Sequence, residues 1–326
     1  MIKIVVDAMG GDNGSKSIVK AIRDFHSDNN DVEITVCGNK EELSSLEDIC
    51  NIIESKSVVP MEAGPLEVMR MKDSSMCMAI NYMKENKCDA VVSCGSTGGF
   101  LSAATLNLKL IQGVKRAALV SPFPTKVKGK KVVILDIGAN NENSPEELVQ
   151  FALMGRLYSK VVLGVESPKT YLLSNGTEEG KGTPAIKQAH KLLKESKFEG
   201  FMGNIEARDS LSGEADVIVC DGFSGNVLLK STEGTAKMMS SMIKNIFKKN
   251  IFTIIGYLHV RKGVKDMSET MDYKSTGGAM LLGVNGVVVK AHGNSDDYAF
   301  YHALKVAKKL SINNISKKIE EGLKND

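Results

Sequence analysis

The 326-residue sequence predicts an α/β protein built on a doubly wound, mostly parallel sheet. Short apolar runs rich in β-branched residues alternate with longer segments in which apolar residues recur at helical spacing. The short runs are apolar at nearly every position, which is typical of strands covered by helices on both faces. Alternation of this kind favours parallel strands joined by crossover helices.

Seven segments are predicted to be strands because they are short and dominated by Val, Ile, Leu and Ala. In chain order they are Ile2–Val6, Val32–Cys37, Ala90–Ser93, Ala117–Val120, Val132–Ile137, Val217–Cys220 and Val287–Lys290. Seven other segments are predicted to be helices from their apolar spacing. They are Ser15–Phe25, Ser75–Lys84, Thr97–Leu110, Pro145–Tyr158, Ala185–Leu193, Val227–Phe247 and Asp297–Leu310. The fourth has the clearest start, since Ser144 suits the N-cap and Pro145 the first helical position.

The composition is that of an ordinary folded chain. Charged residues make up 25% and hydrophobic residues 42%, which excludes disordered and collagen-like chains. The net charge of +3 is too small for the basic surface of nucleic-acid-binding proteins, so no nucleic-acid partner is expected. No internal repeat or low-complexity linker is visible. We therefore expect one domain over residues 1–326, with an inserted helical region after Gly225.

The cysteines and the N-terminus favour a cytoplasmic protein with reduced thiols. No two of the six cysteines stand at CxxC spacing, so neither a metal nor another cofactor is expected. The N-terminal MIKIVVDAMGGD has no basic leader or cleavage site and is predicted to be a strand rather than a signal peptide. No apolar run approaches the roughly 18 residues that a membrane-spanning helix requires.

Five of the predicted strands end in turns rich in glycine and short polar residues. IVVD is followed by AMGGDNG, VVSC by GSTGG, VVILD by IGANN, VIVCD by GFSGN and VVVK by AHGNS. Ligands of open α/β sheets bind at the carboxyl ends of strands, glycine admits a ligand close to the backbone, and a following helix presents free N–H groups. We therefore expect the five turns to converge on one rim and to bind an anion such as phosphate. An ordinary strand-to-helix turn also needs glycine, which is the alternative for each turn taken singly.

Two other phosphate motifs are incomplete in this sequence. A dinucleotide fingerprint needs GxGxxG after the first strand and an acid after the second, whereas Met9 occupies the first glycine position and the second strand ends in CGN. The segment GTEEGKG at 176–182 is one residue short of a Walker A loop and lacks Ser or Thr after Lys181. A small anion is therefore favoured over a nucleotide.

Seven motifs run through the chain. They are DAMGGD at Asp7–Asp12, SCGSTGG at Ser93–Gly99, LDIGAN at Leu135–Asn140, LLSNGTEEGKG at Leu172–Gly182, GNIEARD at Gly203–Asp209, CDGFSGNVLLKSTEG at Cys220–Gly234 and GGAMLLGVNGVVVKAHGNS at Gly277–Ser295. Their order and spacing resemble those of the bacterial phosphate acyltransferases, or acyl-ACP:phosphate transacylases, of phospholipid synthesis. The resemblance implies a Rossmann-like α/β/α sandwich, related to isopropylmalate dehydrogenases and phosphotransacetylases, and a homodimer.

The reaction that this resemblance implies is transfer of a long-chain fatty acyl group from acyl carrier protein to inorganic phosphate. The products are acyl phosphate and free carrier, so phosphate itself is the nucleophile. Such a site must hold a dianion in line with a thioester carbonyl, stabilise the oxyanion that develops, and exclude water.

On this resemblance and chemistry we predict that Lys181 and Asn226 form a catalytic pair. A lysine supplies a mobile positive charge, and an asparagine amide can donate to the oxyanion. The alternatives are that Lys181 is a solvated surface lysine and that Asn226 caps the helix that begins there.

The glycine-rich turns and the GNIEARD motif supply the predicted phosphate- and substrate-binding residues. They are Asp7, Gly10, Gly11, Asp12, Ser93, Gly95, Ser96, Thr97, Gly98, Asp136, Gly138, Asn140, Asn204, Glu206, Asp221, Gly222, Gly225 and His292. The aspartates that end strands either orient donors, which we favour, or bind a cation. Asn204 and Glu206 either line the substrate groove or cap the helix that follows. His292 either protonates the departing thiolate or has a structural role.

Cys94 and Cys220 stand in the same turns and raise the alternative of a covalent acyl-enzyme. Buried strand cysteines usually behave as small hydrophobic residues, so direct attack by phosphate is favoured.

At two places this chain departs from the family pattern, so the roles of the family's residues there are not carried over to it. Many members have His-Ala-Pro where this chain has Asn-Gly-Ser at 13–15, and members often have Asn in place of Ser96.

Residues 235–265 form a basic amphipathic segment that contains no acidic residue. Such a segment can lie on an anionic membrane, face an acidic carrier protein, or pack against a second copy in a dimer, and these contacts are compatible. The predicted membrane- or carrier-contact residues are Lys248, Lys249, Ile251, Ile254, Ile255 and Leu258. We expect the tip at 251–258 to dock on the inner leaflet, where the membrane acyltransferase that consumes the product is a further candidate partner.

Two rival classes of function fit the same features. One is another enzyme on this scaffold, such as a short-chain phosphotransacetylase or a decarboxylating dehydrogenase that would need nicotinamide. The other is a non-catalytic protein that binds lipid surfaces through the basic segment, for which Lys181 would be dispensable.

Overall fold

A computed structural model of the protein describes residues 1–270 and 276–325. Its strands form one sheet in the order β3-β2-β1-β4-β11-β10-β5-β6-β9-β7-β8. The strands are β1 Ile2–Asp7, β2 Val32–Gly38, β3 Asn51–Glu54, β4 Ala90–Ser93, β5 Ala118–Pro124, β6 Lys131–Leu135, β7 Thr170–Ser174, β8 Phe201–Glu206, β9 Val217–Val219, β10 Ala279–Leu282 and β11 Val287–Lys290.

Helices cover both faces of the sheet. They are α1 Gly14–Asp28, α2 Lys40–Leu43, α3 Pro65–Arg70, α4 Ser75–Glu85, α5 Thr97–Leu108, α6 Pro145–Tyr158, α7 Pro184–Glu195, α8 Gly222–Phe247, α9 Ile251–Thr270, α10 Asp297–Ile312 and α11 Ile315–Asn325. Ile4 and Val6 of β1 belong to one hydrophobic cluster and Val5 to the other, as expected for a strand covered on both sides. Within the described ranges, none of the helices has the length and apolar content that crossing a bilayer requires.

The predicted fold class is confirmed, since seven of the ten strand pairs in the described sheet are parallel. All seven predicted strands and all seven predicted helices are present. Ala90–Ser93, Val287–Lys290 and Pro145–Tyr158 have the predicted bounds, and the other bounds are shifted. Helices α8 and α9 form the inserted helical hairpin between β9 and β10. Strands β3, β7, β8 and β10 were not predicted. Polar residues end β3, and Gly203 and Asn204 interrupt β8, so neither forms an apolar run.

The sheet consists of two parallel blocks that run in opposite directions. One block is β3, β2, β1, β4 and β11, and the other is β6, β9, β7 and β8. Between them lie β10 and β5, and every pairing from β11 across to β6 is antiparallel. The expectation that the five glycine-rich turns share one rim is therefore wrong, because β1, β4 and β11 point away from the edge towards which β6 and β9 point.

The glycine-rich turns of the two blocks nevertheless lie near one another, because of the register of the strands across the sheet. Leu135 pairs with Val120, Val120 with Met280, and Met280 with Val289, so the four residues form one row across the sheet. Leu135 is the last residue of β6, and Val289 is the last but one of β11. The carboxyl ends of the two blocks therefore meet from opposite directions at the antiparallel strands.

Candidate active site

A cavity of about 490 Å³ lies where the two blocks meet. Asp12, Thr97, Gly98 and His292 line it from the turns after β1, β4 and β11. Gly138 lines it from the turn after β6, and Asn226 lines it from the first turns of α8. Six predicted site residues thus share one cavity although their strands point in opposite directions.

One part of the cavity wall is apolar. Leu119, Pro122 and Phe123 of β5 line the cavity together with Ile137 and Leu229. These side chains lack hydrogen-bonding groups and suit an alkyl chain, whereas the turns after β1, β4 and β11 supply polar and charged groups. The cavity therefore combines an apolar surface with a polar one, as a ligand with an alkyl part and an anionic part requires.

Asp7 lies beneath the turns after β1 and β4 and does not line the cavity. The Ser75 and Ser93 hydroxyls donate to its carboxylate at 2.6 and 2.7 Å, and the Gly95 N–H donates to the Ser93 oxygen at 3.0 Å. Burial raises the pKa of Asp7, and the serine hydrogen bonds oppose that rise. A Cβ added at Gly10 would stand 2.5 Å from the Gly95 Cα, so the two turns pack backbone against backbone.

Asp136 organises the turn after β6. Its carboxylate accepts hydrogen bonds from the N–H groups of Leu119, Gly138, Ala139 and Asn140 at 2.8–3.1 Å. The Asn140 side chain adds a further donor at 2.7 Å. Burial raises the pKa of Asp136 against the effect of these donors. The carboxylate thus fixes the backbone that carries Gly138 into the cavity.

The start of α8 is pressed against that turn. Asp221 is the N-cap residue, and its carboxylate accepts the Ser224 N–H at 2.7 Å. A Cβ added at Gly222 would stand 1.9 Å from the Asn140 carbonyl oxygen, and one added at Gly225 would stand 1.8 Å from the Asp136 carbonyl oxygen. The alternative in which Asn226 caps the helix is wrong, because Asn226 lies inside α8 with its side chain next to Gly138.

A charged cluster lies deeper along α8. Glu233 is buried and stands 3.6 Å from the Lys230 ammonium and 3.9 Å from Nε2 of His292. Desolvation lowers the pKa of His292, and the Glu233 charge opposes this effect. A smaller fraction of His292 is therefore protonated near neutral pH than of an ordinary histidine, which limits its use as a general acid.

The loop that carries Lys181 lies outside the cavity lining. It follows β7, which pairs with β9, so it stands one strand away from the turn that begins α8. The Asn204 amide donates to the Glu178 carbonyl at 2.8 Å and anchors the loop. Glu206, at the end of β8, is held by Arg208 at 2.6 Å. Lys181 itself is exposed, so its catalytic role stays a prediction.

The other predicted residues do not line the cavity. They are Gly10, Gly11, Ser93, Gly95, Ser96, Asn140, Asn204, Glu206, Asp221, Gly222 and Gly225. Ser96, where family members often have Asn, is the N-cap of α5 and accepts the Gly99 N–H at 3.3 Å. Among residues 1–270 and 276–325, no group of three or more His, Cys, Asp or Glu side chains is placed to hold a metal ion.

The two cysteines near the turns are buried thiols. Burial raises the pKa of Cys94 to about 12, and it raises the pKa of Cys220 well above its ordinary value. The Cys94 thiol donates to the Gly10 carbonyl at 2.8 Å, and the Cys220 thiol to the Asp136 carbonyl at 3.2 Å. Because the thiolate is the nucleophilic form of cysteine, these environments disfavour acylation of either residue.

Comparison with known proteins decides the family. The family model described as fatty acid synthesis protein matches residues 2–318. The phosphate acyltransferase of Thermosipho melanesiensis is 42% identical over 327 residues, covering 100% of this chain and 97% of the relative. That of Halothermothrix orenii is 39% identical, covering 100% and 99%.

The chain belongs to the phosphate acyltransferase family. It is therefore an acyltransferase, and the resemblance inferred from its motifs is confirmed. Among solved structures, a phosphotransacetylase from Streptococcus pyogenes superposes with a TM-score of 0.61 at 18% identity, covering 95% of this chain and 94% of that one. At this identity the likeness shows the fold, which is the α/β architecture expected of the family.

In this phosphate acyltransferase, sequence reasoning missed the face that α8 turns towards the cavity. Asn226, Leu229, Lys230 and Glu233 all line the cavity and stand at positions i, i+3, i+4 and i+7 of one helix. That spacing is visible in the sequence and marks one helix face. Lys290, the last residue of β11, was also missed, because its position at the end of an apolar strand did not reveal that it lines the cavity.

Proposed function

We propose that the protein transfers a long-chain fatty acyl group from acyl carrier protein to inorganic phosphate, giving acyl phosphate and free carrier. The observation that carries the proposal is the single cavity in which the apolar side chains of β5 face the glycine-rich turns and cationic groups. The first surface suits an alkyl chain and the second suits an anion. Running the assay below with an acetyl donor as well as with long-chain acyl-ACP separates this activity from that of a short-chain phosphotransacetylase.

Phosphate bound at the turns attacks the thioester carbonyl directly. A P–O–C bond forms, the C–S bond breaks, and its electron pair leaves with the carrier sulfur. The Asn226 amide donates to the oxyanion that develops on the carbonyl oxygen. A thiolate is a good leaving group, so proton donation by His292 is optional. The buried, protonated state of Cys94 supports a route without an acyl-enzyme.

The proposal is tested by incubating the protein with long-chain acyl-ACP in the presence and absence of phosphate. We expect release of carrier thiol that depends on phosphate, and a product that hydroxylamine traps as the acyl hydroxamate. Thiol release at the same rate without phosphate would overturn the proposal. A fatty chain covalently attached to a cysteine during turnover would overturn direct attack.

Lys181 is proposed to supply positive charge from the loop after β7. We expect Lys181→Ala to lower kcat at least about tenfold, since charge stabilisation in a transition state is commonly worth that much or more. The matched control is Lys187→Ala, which removes an exposed lysine from α7, a few residues away. Equal turnover by both variants and the wild type would mean that Lys181 is a solvated surface residue.

The hairpin of α8 and α9 is proposed to contact an anionic membrane. Phe247 and Tyr257 pack with ring centroids 5.2 Å apart and join the two helices. Ile251 and Leu258 of α9 are 61% and 56% exposed, and Lys248 and Lys249, which precede α9, are exposed as well. Exposed apolar residues beside basic ones are typical of helices that lie at a membrane surface. Contact with the carrier protein and dimer packing are compatible with the same surface.

The membrane contact predicts that Ile254→Glu/Leu258→Glu sediments with anionic liposomes at least several-fold less than the wild type, because two charges enter the apolar surface. Leu106→Glu/Met202→Glu places the same charges at exposed apolar positions elsewhere and serves as the control. Sedimentation velocity on the same variants tests dimer packing. Unchanged liposome binding by a folded hairpin variant would contradict the proposal.

A further inference from the structure

Lys290 is a buried lysine at the polar end of the cavity. It is 6% exposed, ends β11, and pairs in register with Ser93 of β4. Strand alternation places it on the same face as Val288, which belongs to the hydrophobic cluster that also contains Leu119 of the cavity wall. Its side chain therefore lies on the cavity face of the sheet, next to β4, which leads into α5.

Lys290 has no carboxylate partner within salt-bridge distance in the described parts of the chain. Its ammonium group donates to the carbonyl of the following residue, Ala291. Lys230, the other lysine in the cavity, stands instead beside Glu233 at 3.6 Å. A buried cation that is not neutralised by an anion is costly, so its presence in a cavity points to an anionic ligand.

The groups that face Lys290 do not neutralise its buried positive charge. The Asp7 carboxylate is engaged by the Ser75 and Ser93 hydroxyls, and Asp12 is exposed to solvent. Cys94 carries a thiol rather than a thiolate near neutral pH, and Lys230 on α8 is a like charge. Burial lowers the pKa of Lys290 to about 8, and the charges of Asp7 and Asp12 oppose that fall only partly. Among the described residues that line the cavity, Lys290 is the buried cation available to an anion.

The backbone beside Lys290 offers matching donors. Thr97 and Gly98 are the first residues of α5, line the cavity, and follow the strand that pairs with β11. Their N–H groups have no acceptor within the helix, because the first turn of an α-helix leaves its donors unsatisfied. An ammonium group and helix N-terminal amides together form a binding site for a small tetrahedral oxyanion.

We propose that Lys290 is the charged anchor that binds inorganic phosphate in this cavity, against the first turn of α5. The inference rests on the proposed function for the identity of the anion. It assigns phosphate to the side of the cavity formed by β4 and β11. Asn226, carried by the opposite block, then faces the carbonyl that the phosphate attacks.

The test compares wild type with Lys290→Met and Lys290→Gln, with Lys131→Met at the exposed start of β6 as the control. We expect both Lys290 variants to raise the KM for phosphate about 10–100-fold with a smaller change in the KM for acyl-ACP, because a charge-assisted hydrogen bond is lost. The control is expected to leave both constants unchanged. A phosphate KM within twofold of the wild type in Lys290→Gln would overturn the proposal.

A second measurement needs no acyl donor and so separates this inference from the proposed function. Inorganic phosphate is expected to raise the Tm of the wild type and of Lys131→Met, but not that of the Lys290 variants. Without phosphate, Lys290→Met is expected to melt at or above the temperature of the wild type, because it removes an unneutralised buried charge. A lower Tm together with an intact phosphate-induced rise would show that Lys290 has only a structural role. If the wild type fails to turn over acyl-ACP but the phosphate-induced rise depends on Lys290, the proposed donor is wrong and the anion site stands.

Discussion

Asn226→Ala is expected to lower kcat for acyl transfer to phosphate by about 10²–10³-fold, with little change in the KM for either substrate. The amide is proposed to donate to a carbonyl oxygen on which negative charge develops in the transition state, so its removal should raise the barrier without weakening ground-state binding. Loss of a single oxyanion donor commonly has this effect. Steady-state kinetics with acyl-ACP and phosphate measure it.

The position of Asn226 makes this expectation specific. It lies inside α8 beside Gly138, and the start of α8 packs closely against the Asp136 turn. The control is Asn245→Ala, which changes an exposed asparagine of the same helix and should leave kcat unaltered. If Asn226→Ala raises KM while kcat is preserved, the amide binds substrate in the ground state and is not an oxyanion donor.

Gly225→Ala is expected to destabilise the fold by at least about 1–3 kcal/mol and to reduce turnover about 100-fold. The added Cβ would stand 1.8 Å from the Asp136 carbonyl oxygen, so the helix start or the turn has to move. A displacement of about 1 Å at catalytic groups can cost about 10²-fold in rate. Thermal denaturation and kinetics on the same preparation measure the two effects.

The matched control for this change is Gly234→Ala in the same helix. A Cβ at Gly234 would meet nothing within 4 Å, so this variant is expected to gain about 0.5–1 kcal/mol from the better helix propensity of alanine. A Gly225→Ala protein with the Tm and kcat of the wild type would show that the contact between α8 and the turn can relax without consequence.

The sequence was informative about elements and much less so about their direction. Apolar runs and glycine-rich turns located the strands that carry the cavity. The opposition of the two blocks depends on β10, whose four-residue apolar run AMLL stands between glycines and was not predicted to be a strand. The sequence of a near-continuously apolar strand does not reveal its direction in the sheet, because both of its faces are buried in either orientation.

The sequence predicted the cavity residues that lie in turns. It did not predict those that lie at the end of a strand or on one face of a helix. The turns placed Asp12, Thr97 and His292 in the cavity. Lys290 was hidden because an apolar strand that ends in lysine ordinarily has that lysine in solvent. Only packing against β4 and β10 shows that its ammonium group is enclosed.

The start of α5 at the cavity has an electrical consequence. Helix α5 begins at the cavity with Thr97 and Gly98, and its amide end is equivalent to about half a positive charge there, whereas α8 lines the cavity only from Asn226 onwards. On the proposed arrangement, an incoming dianion is therefore attracted to the side of the cavity formed by β4 and β11 by a fixed helix dipole, which does not titrate as Lys290 does.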